Sequence, residues 1–308
     1  MRCALKVLIC DPVSSKCIDI LKSAGLEVSY QPKITPDDLL KQISEYDAVI
    51  VRSRTKITSS VIDAGKKLKV IGRAGVGLDN VDTAAAAKRN IVVLNTPESS
   101  TEAVAELVIG FMLNLARKIS LGDRGIKEGR WLKGEMMGIE LKGKTLGIVG
   151  LGRIGSRVGA LAKAFGMKIL VYDVIQLPEQ LIKSLDAQVV DLDTLLSQSD
   201  FVTLHVPLTP ETRHMMNRER LAKMKKGSYL INASRGEVVD EKALYEALKD
   251  GWLAGAALDV FEQEPPTSEV VKLPNVVCTP HIGAQTVEAQ DAAGEMLAEK
   301  VINALGVR

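Results

Sequence analysis

Short apolar runs alternate along the chain with segments whose apolar residues recur at helical spacing. In the first hundred residues the segments Leu5–Cys10, Glu27–Tyr30, Ala48–Val51, Lys69–Gly72 and Ile91–Leu94, all but the second mainly apolar, read as strands. Between them, Ser14–Ala24 (closed by Gly25), Pro36–Ile43, Ser59–Gly65 and the alanine-rich Thr83–Arg89 read as helices. Strand–helix alternation of this kind predicts a doubly wound parallel sheet. Ser99-x-x-Glu102 has the form of a capping box and opens a long helix, Ala103–Ala116. Its apolar residues cover most of its circumference, which predicts burial between domains or subunits. A basic, more polar stretch, Lys118–Lys144, follows. Alternation then resumes through Leu146–Val149, Lys168–Tyr172, Phe201–Leu204, Tyr229–Asn232, Ala254–Leu258 and Val276–Cys278, six expected strands, and a last helix spans about 285–305.

The second alternating region carries a glycine pattern that the first lacks. Leu146–Val149 runs into Gly150-x-Gly152-x-x-Gly155, the helix Ile154–Phe165 follows, and the next strand ends at Asp173, 18 positions after Gly155. Gly150 permits a tight turn, Gly152 allows close backbone approach to a pyrophosphate, and Gly155 lets helix pack on strand. The helix N-terminus aims its N–H groups at the phosphates. A carboxylate at Asp173 accepts hydrogen bonds from ribose hydroxyls and repels a 2′-phosphate. The expected cofactor is therefore NAD rather than NADP.

Composition narrows the class without changing this picture. The chain has 308 residues, enough for two cores, with 40 basic and 38 acidic side chains and a net charge of +2. That balance points to neither nucleic acid nor a membrane surface as partner. No apolar run reaches the ~18 residues of a membrane span, and Asp11 and Pro12 interrupt the only apolar stretch near the start, so no signal peptide is expected. Cys3, Cys10, Cys17 and Cys278 have no paired spacing, which suggests neither a zinc site nor a disulfide framework, and a cytoplasmic setting. Cys10 and Cys278 fall in apolar strands and are expected in the core.

In open α/β sheets, functional groups gather beyond the C-terminal ends of strands. Three ends carry unusual polar groups: Ala233-Ser234-Arg235-Gly236 after one, Asp259 to Glu264-Pro265 after another, and Pro280-His281-Ile282-Gly283 after the last. Hydride removal from a secondary alcohol leaves a proton that an imidazole can accept and return. A carboxylate on the far ring nitrogen fixes the tautomer and stabilises the imidazolium, and an arginine clamps a substrate carboxylate. Arg235 is equally compatible with a plain salt bridge, and Glu264 with a solvated loop. His205 follows a strand and His214 lies in a polar segment; both read as surface or satisfied core residues.

These residues resemble the D-isomer-specific 2-hydroxyacid dehydrogenases over nearly the whole chain. The likeness rests on Gly72-Arg-Ala-Gly-Val-Gly-Leu-Asp-Asn-Val-Asp82, Asn95-Thr-Pro97, the fingerprint with Asp173, Asn232-Ala-Ser-Arg-Gly236, Ala257-Leu-Asp-Val-Phe261 with Glu264-Pro, and Thr279-Pro-His-Ile-Gly-Ala284. The resemblance implies an α/β protein with a Rossmann NAD-binding domain, 98–284, inserted into a flavodoxin-like substrate domain, 1–97 and 285–308. It implies Arg235, Glu264 and His281 as catalytic residues. It implies cofactor contacts at Val76, Gly150, Gly152, Arg153, Ile154, Gly155, Asp173, Val206, Ala233, Ser234, Arg235, Asp259, His281, Gly283 and Ala284. A homodimer formed through the inserted domain and its long helix is also implied.

Within the family, charge distinguishes substrates. Val51-Arg52-Ser53-Arg54-Thr55-Lys56 places three cations after a strand, and Arg73 adds another. Phosphoglycerate dehydrogenases resemble the chain at Arg52 and Arg73, which implies a phosphorylated substrate bound by Arg52, Ser53 and Arg73, with Gly75, Val76 and Gly77 as a backbone nest for its carboxylate. A solvated basic loop is the competing account of these cations. The implied reaction is oxidation of D-3-phosphoglycerate to 3-phosphohydroxypyruvate at the start of serine synthesis. Glyoxylate or hydroxypyruvate reduction on the same scaffold is the alternative; a non-catalytic NAD-sensing corepressor-like protein is another. The sequence stops at Arg308 soon after the last helix, so a serine-binding regulatory domain is not expected.

Overall fold

The computed structural model describes residues 4–307. Cys3 and Arg308, both invoked above, lie outside the described residues. The chain divides into two compact units: one runs to Ser100 and resumes at Ala284, and the other is Thr101–Gly283.

The first unit contains β1 (Lys6–Ile9), β2 (Glu27–Tyr30), β3 (Ala48–Val51), β4 (Val70–Arg73) and β5 (Val92–Asn95). They form one parallel sheet in the order β2-β1-β3-β4-β5, with Val7 opposite Val28 on one side and Ala48 on the other. This is the flavodoxin-like order. Every residue of β3 is buried, as its unbroken apolar run requires of a strand covered on both faces. On one face Leu39, Ile62 and Ala86, from three short helices, join Leu8, Val49 and Ile71. On the other, Cys17 and Leu21 of the Ser15–Ser23 helix join Leu297 and Val301 of the terminal helix, Val287–Leu305. Gly72 admits that helix: a Cβ there would fall 3.1 Å from Leu297.

The second unit contains β6 (Thr145–Val149), β7 (Lys168–Tyr172), β8 (Ala187–Val189), β9 (Phe201–Leu204), β10 (Tyr229–Asn232), β11 (Gly255–Leu258) and β12 (Val276–Cys278). All are parallel, in the order β12-β11-β10-β9-β6-β7-β8. Seven strands replace the six expected, because β8 is a three-residue, largely exposed edge that leaves no apolar run to read. Winding reverses between β6 and β9, which makes the crevice beyond their C-terminal ends the topological switch point.

Two local expectations, the capping box and the burial of Cys278, are corrected, and two segments are filled in. The capping box does not form: the Ser99 hydroxyl donates to the Thr96 carbonyl, and Glu102 forms a bidentate pair with Arg157 at 2.6 and 2.7 Å. The helix itself, Thr101–Arg117, buries Val108, Phe111 and Met112 within its own unit, against Leu146, Phe201 and Ile231. The polar stretch after it contains a further helix, Ile119–Lys127. Cys278 is exposed, because β12 is an edge strand, whereas Cys10 is fully buried.

Candidate active site

Backbone approach explains the fingerprint of the second unit. Gly150 has φ +91°, and a Cβ there would fall 2.6 Å from the His205 carbonyl oxygen. A Cβ on Gly155 would collide with the Gly150 carbonyl oxygen, so any side chain would push the helix Arg153–Ala164 off the turn. Gly152 differs: nothing lies within 4 Å of its Cβ position, and it caps the helix without a side-chain bond. Two glycines thus close the turn and the third leaves it open, the shape a pyrophosphate needs against helix N–H groups. Arg153 and Ile154 begin that helix, and Val206 follows β9 beside Gly150. Asp173 stands just beyond β7, its carboxylate accepting the Leu151 N–H at 2.7 Å and the Ile175 N–H at 3.2 Å. These two bonds hold it at the fingerprint turn with lone pairs to spare for ribose hydroxyls.

The two residues expected to form a proton-transfer pair are brought together. His281 Nδ1 lies 2.9 and 3.0 Å from the two carboxylate oxygens of Glu264, so Nδ1–H donates to the carboxylate and Nε2 is left to exchange a proton with a ligand. The two side chains are 47% and 41% exposed. His281 takes φ +53°, an uncommon conformation for a non-glycine residue, and its N–H is held by the Asp259 carbonyl at 2.8 Å. Buried Asp259 braces the same loop: its carboxylate accepts from Thr279 Oγ1 (2.5 Å), the Ile282 N–H (2.8 Å) and the Gly283 N–H (2.8 Å). Both carboxylate oxygens of Asp259, a residue expected to contact the cofactor, are thus engaged within the loop.

Arg235 sits three residues beyond β10 and is half-buried. Asn232 shapes its turn, accepting from the Ser234 N–H and hydroxyl and donating to the Arg235 carbonyl at 2.8 Å. Ser234 is therefore bound inward, with Ala233 between it and the strand. The next residue must be glycine, because a Cβ on Gly236 would collide with the Phe261 carbonyl group. That contact lays the Arg235 turn against the Glu264 loop. Asn232 was legible as a strand end, but its bracing role was not.

The remaining histidines are accounted for. Desolvation pushes the His205 pKa down to about 4, and its Nε2 meets the Thr203 hydroxyl at 3.0 Å. It is a neutral structural residue at physiological pH. His214 pairs with Glu262 at 3.3 Å.

The basic residues of the first unit separate into two kinds. Arg54 is half-exposed but fully engaged, bonded to Asp11 and to the carbonyls of Cys10, Pro32 and Ile34. Its reading as an available cation is corrected. Arg52 is held by its backbone: its N–H donates to Asp11 at 2.6 Å, and Asn80 donates to its carbonyl at 2.7 Å. Its guanidinium reaches the Pro12 carbonyl at a long 3.4 Å. Ser53 lies in the exposed bend beside it. The Arg73 guanidinium occupies the place of a Cβ on Gly75, which has φ +137°, so only glycine fits. The expected nest is smaller than three N–H groups, because the Gly75 N–H donates to Thr96 Oγ1 at 2.8 Å, leaving those of Val76 and Gly77.

Residues 109–283 match the model of the D-isomer specific 2-hydroxyacid dehydrogenase, NAD binding domain. The chain belongs to this family. Its second unit is thus an NAD-binding domain, in accord with the open Gly152 cradle and Asp173. The chain is 49% identical over 299 residues to a D-3-phosphoglycerate dehydrogenase of Methanocaldococcus jannaschii, an alignment covering 96% of this chain and 57% of that protein. It is 48% identical over 307 residues to a hydroxypyruvate reductase of Thermotoga maritima, covering 98% and 99%. Among solved structures it is similar to the TT0316 protein of Thermus thermophilus, with a TM-score of 0.91, 38% identity and coverage of 99% and 98%. The chain spans little more than half the length of the archaeal phosphoglycerate dehydrogenases it matches.

Proposed function

We propose that the chain is an NAD-dependent dehydrogenase of D-2-hydroxy acids whose substrate is D-3-phosphoglycerate, oxidised to 3-phosphohydroxypyruvate. The observation that carries the reaction type is the His281–Glu264 pair. NAD, when bound, supplies the hydride acceptor. His281 Nε2 takes the hydroxyl proton and returns it in the reductive direction. Glu264 stabilises the imidazolium, and Arg235 pairs with the substrate carboxylate. A non-catalytic NAD sensor has no use for this relay.

The phosphorylated substrate is supported by Arg52 and Arg73 and by relatives named D-3-phosphoglycerate dehydrogenase. A second reading, reduction of hydroxypyruvate, is favoured by the relative of that name that aligns with the chain over 99% of its own length. Initial rates with NADH on 3-phosphohydroxypyruvate, hydroxypyruvate, glyoxylate and pyruvate decide between them. The phosphorylated reading expects kcat/KM to be highest on the first by at least ~10-fold, the scale of one charge-assisted contact. Parity with hydroxypyruvate overturns it.

A homodimer is part of the same proposal. Ile119, Ile126, Trp131 and Met137 are 54–85% exposed on consecutive elements after the long helix, an apolar area fit for a second copy. A monomer in sedimentation equilibrium would contradict it.

A further inference from the structure

The loop bearing Glu264 is gripped by a helix that has no other part in the site. Glu241 opens the helix Glu241–Lys249 and is buried. Its N–H donates to Glu262 Oε1 at 3.0 Å, and its own Oε1 accepts the Glu262 N–H at 2.7 Å. The two glutamates therefore clasp each other reciprocally, side chain to backbone. Asp240 already caps the helix by accepting the Ala243 N–H at 2.9 Å, so Glu262 holds a second N-terminal N–H, and the reciprocal bond from the Glu262 N–H goes beyond capping. Electrostatics permits two carboxylates here because each meets an N–H, one at a helix N-terminus, and His214 faces Glu262 at 3.3 Å. Arg213 and Glu237 pair beside them at 3.8 Å. On the opposite side, the backbone of Gly236 touches that of Phe261 and Glu262. The segment 261–262 is thus pinned two residues before Glu264.

We infer that Glu241 and Glu262 are positioning residues, a clasp that holds the Glu264 carboxylate against His281. The inference rests on the catalytic reading of that pair. It differs from a stabilising role in one respect: loosening the clasp separates the carboxylate from the imidazole and so alters the pH profile, not only the melting temperature.

The test compares Glu241→Ala, Glu241→Gln, Glu262→Ala and His281→Ala by the pH dependence of kcat/KM for NADH-dependent reduction, with NADH affinity measured alongside. Glutamine keeps an oxygen to accept the Glu262 N–H; alanine does not. Glu241→Ala and Glu262→Ala are expected to lower kcat about 10-fold and to move the basic limb about one pH unit lower, because an imidazolium without its carboxylate releases its proton more readily. Glu241→Gln is expected within about 2-fold of the parent with an unmoved limb, and NADH affinity should hold throughout. Unmoved limbs in both alanine variants, or equal losses in Glu241→Ala and Glu241→Gln, overturn the clasp. If His281→Ala retains turnover, the catalytic reading fails instead, a different result from the same series.

Discussion

The two sheets solve one problem in the same way and arrive at different chemistry. Each places a buried aspartate just past one strand to hold the loop beyond the neighbouring strand. Asp11 follows β1 and holds the loop after β3; Asp259 follows β11 and holds the loop after β12. Asp11 accepts from the Arg52 N–H, the Thr55 N–H and hydroxyl, and the Arg54 guanidinium. Asp259 accepts from a hydroxyl and two backbone N–H groups of its loop, all of them neutral donors. Where the aspartate takes a cation, that cation is spent on structure. Where it takes neutral donors, the ionisable side chain of the loop, His281, is left to pair with Glu264 instead.

Removing each aspartate or its partners tests how far the parallel extends. Asp11→Ala would leave the half-exposed Arg54 and three other donors without their carboxylate, and leaving buried donors unsatisfied costs about 1–3 kcal/mol. Chemical unfolding should show that loss; a change under about 1 kcal/mol would mean that the loop does not depend on Asp11.

The next effect separates the two arginines of that loop. Arg52→Ala should cost about 10–150-fold in kcat/KM on 3-phosphohydroxypyruvate and little on hydroxypyruvate, the scale of one charge-assisted contact. Arg54→Ala should lower stability and affect both substrates alike. Matching selectivity changes in the two variants would erase the distinction drawn between an engaged and an available cation.

The smallest effect belongs to His205. Its folded pKa, about 4, lies below the unfolded value near 6.5, so its contribution to stability is present above pH 6.5 and is lost as pH falls toward 4. The loss is on the order of 1–3 kcal/mol. His205→Gln should flatten the fall in stability over that window, measured by denaturant unfolding at several pH values. Identical slopes would remove the desolvated histidine from the account.

Much of this was legible in the chain. Eleven of the twelve described strands were placed within about two residues: central strands such as β3, covered on both faces, leave an unbroken apolar signal, and the edge strands β2, β5 and β12 were read from the strand–helix alternation around them. The edge strand β8, partly exposed, carried none. The fingerprint glycines were legible because their need is local: a turn, an open approach, a close contact. His281 and Glu264 stood out as polar residues beyond strand ends, yet only the fold brings them, 17 positions apart, to 2.9 Å. What the chain did not reveal is which polar residues are consumed. Arg52 and Arg54 are alike in sequence, and the Glu241–Glu262 clasp joins positions 21 apart with no periodic signal. The Ser99–Glu102 box failed because partners from elsewhere, Thr96 and Arg157, offered each side chain a better bond.

The claim that matters most is that His281 carries the proton. Single-turnover and steady-state rates of NADH oxidation, with the preferred 2-oxo acid, should be measured for His281→Ala beside the unaltered chain. The account predicts turnover lower by about 10²–10⁴-fold with NADH affinity nearly unchanged, the range for loss of a general acid–base group. Turnover within a few-fold of the unaltered chain would contradict it.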